Sequence, residues 1–183
     1  MGPMFRIHIM GQLKENDIVL RPARIFDAAF LHAGFSSRDF LEANGLKEPI
    51  ASSWFPTWWW LRSTFVFAYC IIAGGKRAGF LGIHTIRPAE SAELSLSIFE
   101  EEMRGKGYAS RAFHLFVNNL EKHFIIKMLL VRVSKDNFRA LSFWKKLGFE
   151  ELKREGAVIT LFYTVRPSQT VPIANSPSYV QIP

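Results

Sequence analysis

Cysteine is nearly absent: the single thiol, Cys70, excludes an intramolecular disulfide framework and a cysteine-based zinc finger. Charge of either sign is modest at 21% of residues, against 49% hydrophobic, and this balance excludes a disordered chain, a collagen-like repeat and a bare coiled coil. No stretch repeats at a period of 20–50 residues, which excludes a solenoid or propeller. No uninterrupted apolar run is long enough to span a bilayer. The nearest, Trp54–Ala73, is broken by Pro56 and Arg62, and reads as a helix or loop ending near Ser63 followed by a buried strand, Phe65–Ala73. The segment Met1–Gln12 has Arg6 and His8 among its apolar residues and no h-region with a small-residue cleavage site. A cytoplasmic location, without a membrane partner, is the expectation.

What is present is a chain of 183 residues, enough for one domain with its own core. The expected folded unit is about 5–166. The segment from Pro167 to Pro183, with its prolines and scattered serines, reads as an extension hugging the surface or disordered. Net charge is +7, unevenly placed. Residues 1–102 carry 10 basic and 11 acidic side chains, residues 103–166 carry 13 and 5. A basic half suits a phosphate-bearing partner: nucleic acid, an anionic membrane or a phosphorylated cofactor.

Element signals follow in order. Ile18–Arg21 is a β-branched run ended by Pro22. Asp27–His32 and Arg38–Glu42 read as short helices, with Gly45 stopping the second. The turn Gly74-Gly75-Lys76-Arg77 joins Phe65–Ala73 to a strand Ala78–Ile86 in a hairpin. Ala92–Phe99 alternates, with Leu94, Leu96 and Ile98 on one face and Glu93, Ser95, Ser97 and Phe99 on the other. A helix follows to about Phe124, then a strand Lys127–Ser134. A helix Phe138–Leu147 comes next, capped by Asn137 and stopped by Gly148, and the last strand is Val158–Val165.

Between the alternating strand and the first long helix stands Arg104-Gly105-Lys106-Gly107-Tyr108-Ala109. Glycines let the backbone approach a ligand, successive N–H groups form a nest, and a helix dipole favours an anion there. An ordinary strand-to-helix turn has the same spacing. The dinucleotide fingerprint is not met, because a third glycine is missing, and there is no Gly-Lys-Ser/Thr of a nucleoside triphosphate loop.

This segment resembles the Arg/Gln-x-x-Gly-x-Gly/Ala signature of the GNAT N-acetyltransferase superfamily. Asn137-Phe-Arg-Ala-Leu-Ser-Phe-Trp-Lys-Lys-Leu-Gly148-Phe149 looks like that family's second signature. The resemblance covers about Ile18–Val165. It implies an α+β (α/β three-layer) architecture, the GNAT acyl-CoA N-acyltransferase fold, a mixed, mostly antiparallel sheet flanked by helices. The motif strand and the following parallel strand would splay to admit a pantetheine arm. The implied activity is transfer of acetyl from acetyl-CoA, as co-substrate and without a metal, to an amine of a small molecule or peptide, by direct attack in a ternary complex.

Carried over, Ser97, Ile98 and Phe99 would offer backbone hydrogen bonds to the arm, and Gly105, Lys106, Gly107, Tyr108, Ala109 and Ser110 would cradle the pyrophosphate. Arg104 and Lys106 would complement phosphate charge, and Asn137 would lie beside the cofactor. The tyrosine that often protonates the departing thiolate is replaced by Trp144, whose indole N–H can donate a hydrogen bond but not a proton. Either the thiolate leaves unaided or with a proton from water, or Ser142 or Tyr163 substitutes, or catalysis is lost. Trp144 would then pack along the arm or in the core. Glu93 is the expected general base and His84, on the neighbouring strand, the second choice.

The run Trp54–Trp60 falls where the family builds its acceptor wall, with core packing, an acceptor pocket and a dimer contact as its readings. Homodimers are common in the family. The alternatives are a CoA-binding protein without turnover, a basic nucleic-acid module, which the scatter of basic residues disfavours, and an interfacial membrane protein anchored by Trp54–Trp60.

Overall fold

The computed structural model describes residues 11–43, 48–49, 67–123 and 126–166. Met1–Met10, Gly45, the Trp54–Trp60 run, Phe65, Phe124 and the segment 167–183 lie outside them, as do the expectations attached to those positions. Among the described residues the chain runs β1 (Leu13–Glu15), β2 (Ile18–Pro22), a 3₁₀ turn (Ile25–Asp27), α1 (Ala28–Phe35), α2 (Arg38–Ala43), β3 (Phe67–Ala73), β4 (Lys76–Arg87) and β5 (Ser91–Ile98). A second 3₁₀ turn (Glu101–Met103) leads into α3 (Tyr108–His123), β6 (Met128–Ser134), α4 (Phe138–Lys146), β7 (Glu150–Glu155) and β8 (Val158–Thr164).

These strands form one mixed sheet in the order β1-β2-β3-β4-β5-β6-β8-β7, antiparallel at every joint but β5/β6. The expected hairpin is present with a shorter turn. Ala73 pairs with Lys76, so only Gly74 and Gly75 are unpaired, and their φ of 56° and 79° are those of a two-residue turn that wants glycine. Two strands were not expected. Leu13–Glu15 is three residues long, and Glu150–Glu155 is exposed along its whole length, an edge strand whose charges leave no hydrophobic alternation to read.

Alternation assigns the two faces. Leu94 is buried, and Leu96 and Ile98 pack, with Tyr69, Ile71, Leu81, Ile83, Leu129 and Val131, against α3, whose Ala112, Phe113, Phe116, Val117 and Leu120 fall on one helical stripe. Each of these larger side chains contributes about 1.5–3 kcal/mol on burial. The opposite face carries Phe80 and Phe99, covered by α1 through Ala28, Leu31 and Phe35. Gly34 of α1 is needed here, because a Cβ on it would lie 2.2 Å from the Phe99 ring. Beneath α1, Asp27 is buried at 3% exposure and takes a bidentate fork from Arg21 at 2.8 and 3.0 Å, with the Arg24 amide at 2.8 Å. Burial pushes its carboxyl up, but these donors and Arg77 outweigh it and hold the pKa below the ordinary value. Cys70 is on the same side, its thiol pushed up to about 12, mainly by burial.

Candidate active site

The one parallel joint sets the site. β5 and β6 pair only through Ser91, Ala92 and Glu93 against Met128, Leu129 and Leu130. Beyond Glu93 the strands part, although β5 continues to Ile98 and β6 to Ser134. The gap widens into a cleft of about 1140 Å³ bounded by β5, β6, α2 and the N-terminal ends of α3 and α4. The Phe99 N–H is bonded to the Ala78 carbonyl on β4 at 2.9 Å. Strand alternation therefore turns the backbone of Leu94, Leu96 and Ile98 toward the gap. Of the three expected backbone donors only Ile98 faces it, Ser97 and Phe99 turning their N–H groups to β4.

Gly105 and Gly107 adopt φ of 75° and 79°, with nothing within 4 Å of where a Cβ would stand. The first helical bond of α3 runs from the Arg111 N–H to the Gly107 carbonyl, so residues 108–110 present N–H groups with no acceptor inside the helix. Gly105, Gly107, Tyr108, Ala109 and Ser110 all line the cleft, and Lys106 is exposed outside its wall.

Arg104 lines the cleft, and its guanidinium also bonds within the chain. Its Nε donates to the Ile98 carbonyl and its Nη2 to that of Phe99, both at 3.0 Å, and its Nη1 pairs with Asp39 of α2 at 2.5 Å. Asn137 caps α4 by accepting the Ala140 N–H at 3.0 Å and donates to the Ala43 carbonyl at 3.3 Å, tying α4 to the end of α2 on the cleft wall. Cations missed in the sequence also line the cleft: Arg132, on the opposite side of β6 from Val131 and Val133, and Arg139 and Lys146, two turns apart on α4. That seven-residue spacing was the available signal.

The three expected catalytic side chains do not converge. His84 and Glu93 are register partners on β4 and β5, with Nδ1 3.6 Å from Oε2, and the His84 Nε2 lies 3.0 Å from the Ser95 Oγ. His84 and Ser95 line the cleft, and Glu93 stands behind them outside its wall. Tyr163 pairs with Leu129 and so lies on the α3 face, against Phe113 and Phe149, away from both. Burial raises its hydroxyl pKa further. Trp144 is 5% exposed, packed edge-on against Phe113 and Phe149, and shows only a margin to the cleft. Ser142 lines the cleft. Among the described residues no group of three metal-ligating side chains occurs, and no helix is long and apolar enough to cross a membrane.

A sheet parted at its parallel joint, with a positive-φ glycine loop opening a helix beside the gap, defines the acyl-CoA transferase class of α+β folds. Residues 17–150 match the sequence model of the Acetyltransferase (GNAT) domain, and the chain belongs to that family. Among solved structures, it is similar to spermidine N-acetyltransferase from Vibrio cholerae in complex with CoA and spermine, at TM-score 0.72 and 16% identity, over 82% of this chain and 97% of that one. It is also similar to the acetyltransferase from Salmonella typhimurium that modifies the N-terminal serine of ribosomal protein L7/L12, at 0.71 and 14%, over 85% and 99%. An acetyltransferase from Thermus thermophilus aligns at 0.68 and 24%, over 81% and 97%. No curated protein matches the sequence.

Proposed function

We propose that the protein, through a domain spanning about 5–166, transfers an acetyl group from acetyl-CoA to an amine of a small molecule or peptide by direct attack in a ternary complex. The observation that carries this is the parting of β5 from β6 directly beside the Gly105–Ser110 loop. The loop fits a pyrophosphate: two positive-φ glycines leave space where side chains would intrude, and the α3 amides point outward. Arg132, Arg139 and Lys146 add positive charge along the same cleft. The Leu96 and Ile98 amides are placed to pair with the amides of an extended arm. Two structural relatives act on amines, an N-terminal serine and spermidine, which supports an amine as acceptor.

Bound acetyl-CoA supplies a thioester carbonyl open to a neutral amine. His84, on the cleft wall, takes the proton from the incoming ammonium, and Glu93 behind it stabilises the charged ring, which reverses the order in which sequence ranked them. Tyr163 has no part in this scheme. Protonation at sulfur is not demanding, since an alkyl thiol ionises near pH 8.5, about the cysteine value, and Ser142 is the hydroxyl on the wall. Burial of Trp144 at the family's usual acid position favours a second reading, CoA binding without turnover.

Calorimetric titration with acetyl-CoA, followed by thiol release across a panel of amines, separates them. Binding with amine-dependent release supports the transferase, binding with no release on any amine supports the second reading, and no binding at millimolar concentration overturns both. Gly107→Trp should abolish binding.

A further inference from the structure

Glu93, His84 and Ser95 stand in one row on the α1 side of the sheet. The carboxylate lies 3.6 Å from His84 Nδ1, and Nε2 on the far side of the ring lies 3.0 Å from the Ser95 Oγ. Ser95 is two residues along β5 from Glu93 and so shares its face, with its hydroxyl on the cleft wall. The row is held by an irregularity in β4. His84 pairs with Glu93, but the next pair is Arg87 with Ser91, so β4 carries one extra residue immediately after the imidazole. Thr85 there adopts φ 50°, a strained conformation for a β-branched residue, and its hydroxyl lies 3.3 Å from Nδ1. Bulges of this kind re-aim side chains. The carboxylate and the Thr85 hydroxyl both lie at Nδ1, and in the tautomer that carries its proton there Nε2 accepts from the serine.

A carboxylate, an imidazole and a hydroxyl in sequence are what make a serine nucleophilic: the ring accepts the hydroxyl proton as the oxygen attacks, and the carboxylate stabilises the imidazolium. The residue after the nucleophile, Leu96, turns its N–H to the gap, where a developing oxyanion needs a donor.

We propose that Ser95 is a nucleophile toward acyl thioesters, so that without an amine acceptor the protein acetylates Ser95 and hydrolyses acetyl-CoA. This rests on the acetyl-CoA reading above. In the first half-reaction the Ser95 Oγ bonds to the acetyl carbon, the carbon–sulfur bond breaks, and the serine proton passes through His84 Nε2 to the departing thiolate. In the second, water attacks the serine ester, one of its protons goes to Nε2 and on to the Ser95 oxygen as the ester bond breaks, and the other leaves with acetic acid, which ionises in solvent. No oxidant or metal is required.

The test uses the full chain with acetyl-CoA and no amine, read by intact mass, by peptide mapping and by thiol release. The expected result is a gain of one acetyl group on Ser95 and slow thiol release that outlasts one equivalent. Ser95→Ala and His84→Asn should both lose the adduct while still binding acetyl-CoA in calorimetry. The same samples are treated with 4-nitrophenyl acetate, an activated ester that needs no phosphate cradle. Ser95 labelling by that ester without acetyl-CoA binding retains the nucleophile and overturns the transferase reading. Acetyl-CoA binding with no label from either donor, or with label only on lysine, overturns the nucleophile and leaves the transferase reading standing.

Discussion

Arg104 grips the Phe99 carbonyl at 3.0 Å with one arm of its guanidinium and Asp39 with the other, so the residue that follows β5 and the helix α2 share one cation. The two grips differ in worth. The carbonyl bonds are made by a guanidinium only 19% exposed, whereas Asp39 is 66% exposed. Arg104→Leu should therefore destabilise the fold by about 1–3 kcal/mol and loosen the strand end, raising the acetyl-CoA Kd by about tenfold. Asp39→Asn should change stability by less than about 1 kcal/mol. Urea unfolding and calorimetric titration of both variants check this, and equal effects from the two would contradict it.

Asp27 and Arg21 make the fold acid-sensitive. Because the Asp27 carboxyl titrates below its ordinary value of 3.8 when folded, its contribution is complete above 3.8 and is lost as pH falls through the lower folded value. Thermal midpoints should drop steeply below 3.8 in the native protein and more shallowly in Asp27→Asn. At neutral pH the variant should lose about 3 kcal/mol, since Arg21 is left without its partner beneath α1.

Trp144 is structural on its contacts. Trp144→Ala should cost about 3–5 kcal/mol, and Trp144→Phe less than half of that. If the indole plays no chemical part, Trp144→Phe leaves kcat within about threefold, a barrier change under 1 kcal/mol. A Trp144→Tyr variant with markedly higher kcat would instead mark the missing acid as the limiting feature.

Cys70 should resist alkylation. With its thiol pushed up to about 12 by burial and with no exposed surface, iodoacetamide at mildly alkaline pH should modify it only in denaturant, as followed by intact mass.

Most of the elements that build the cleft were readable because each had a local chemical reason. Gly74 and Gly75 marked a turn, Asn137 and Gly148 bracketed α4, and alternation from Glu93 to Phe99 separated the two faces of β5 as the structure has them. Glu150–Glu155 gave no such signal, because an edge strand with both faces in water needs no apolar residues. Tyr163 illustrates a second limit. Its face follows from the register of β8 on β6, a pairing between distant segments, and only that register puts it against Phe113 rather than beside His84. Arg104 illustrates a third: an arginine beside a glycine loop suggests phosphate, and only the return of the chain brings the Ile98 and Phe99 carbonyls within its reach. Ser95 was read as one member of a polar face, and its link to His84 needed the bulge at Thr85.

The three-residue joint between β5 and β6 has a consequence for assembly. The strands before it close through neighbours in sequence at β3/β4 and β4/β5, and β7 and β8 likewise pair as neighbours. The joint itself must bring together segments separated by the whole of α3, with few ladder bonds as reward. It should be among the last contacts to form and the first to exchange amide hydrogen. The cleft would then vanish before either half of the sheet does, so moderate destabilisation anywhere in the domain would silence the protein while leaving most of its secondary structure standing.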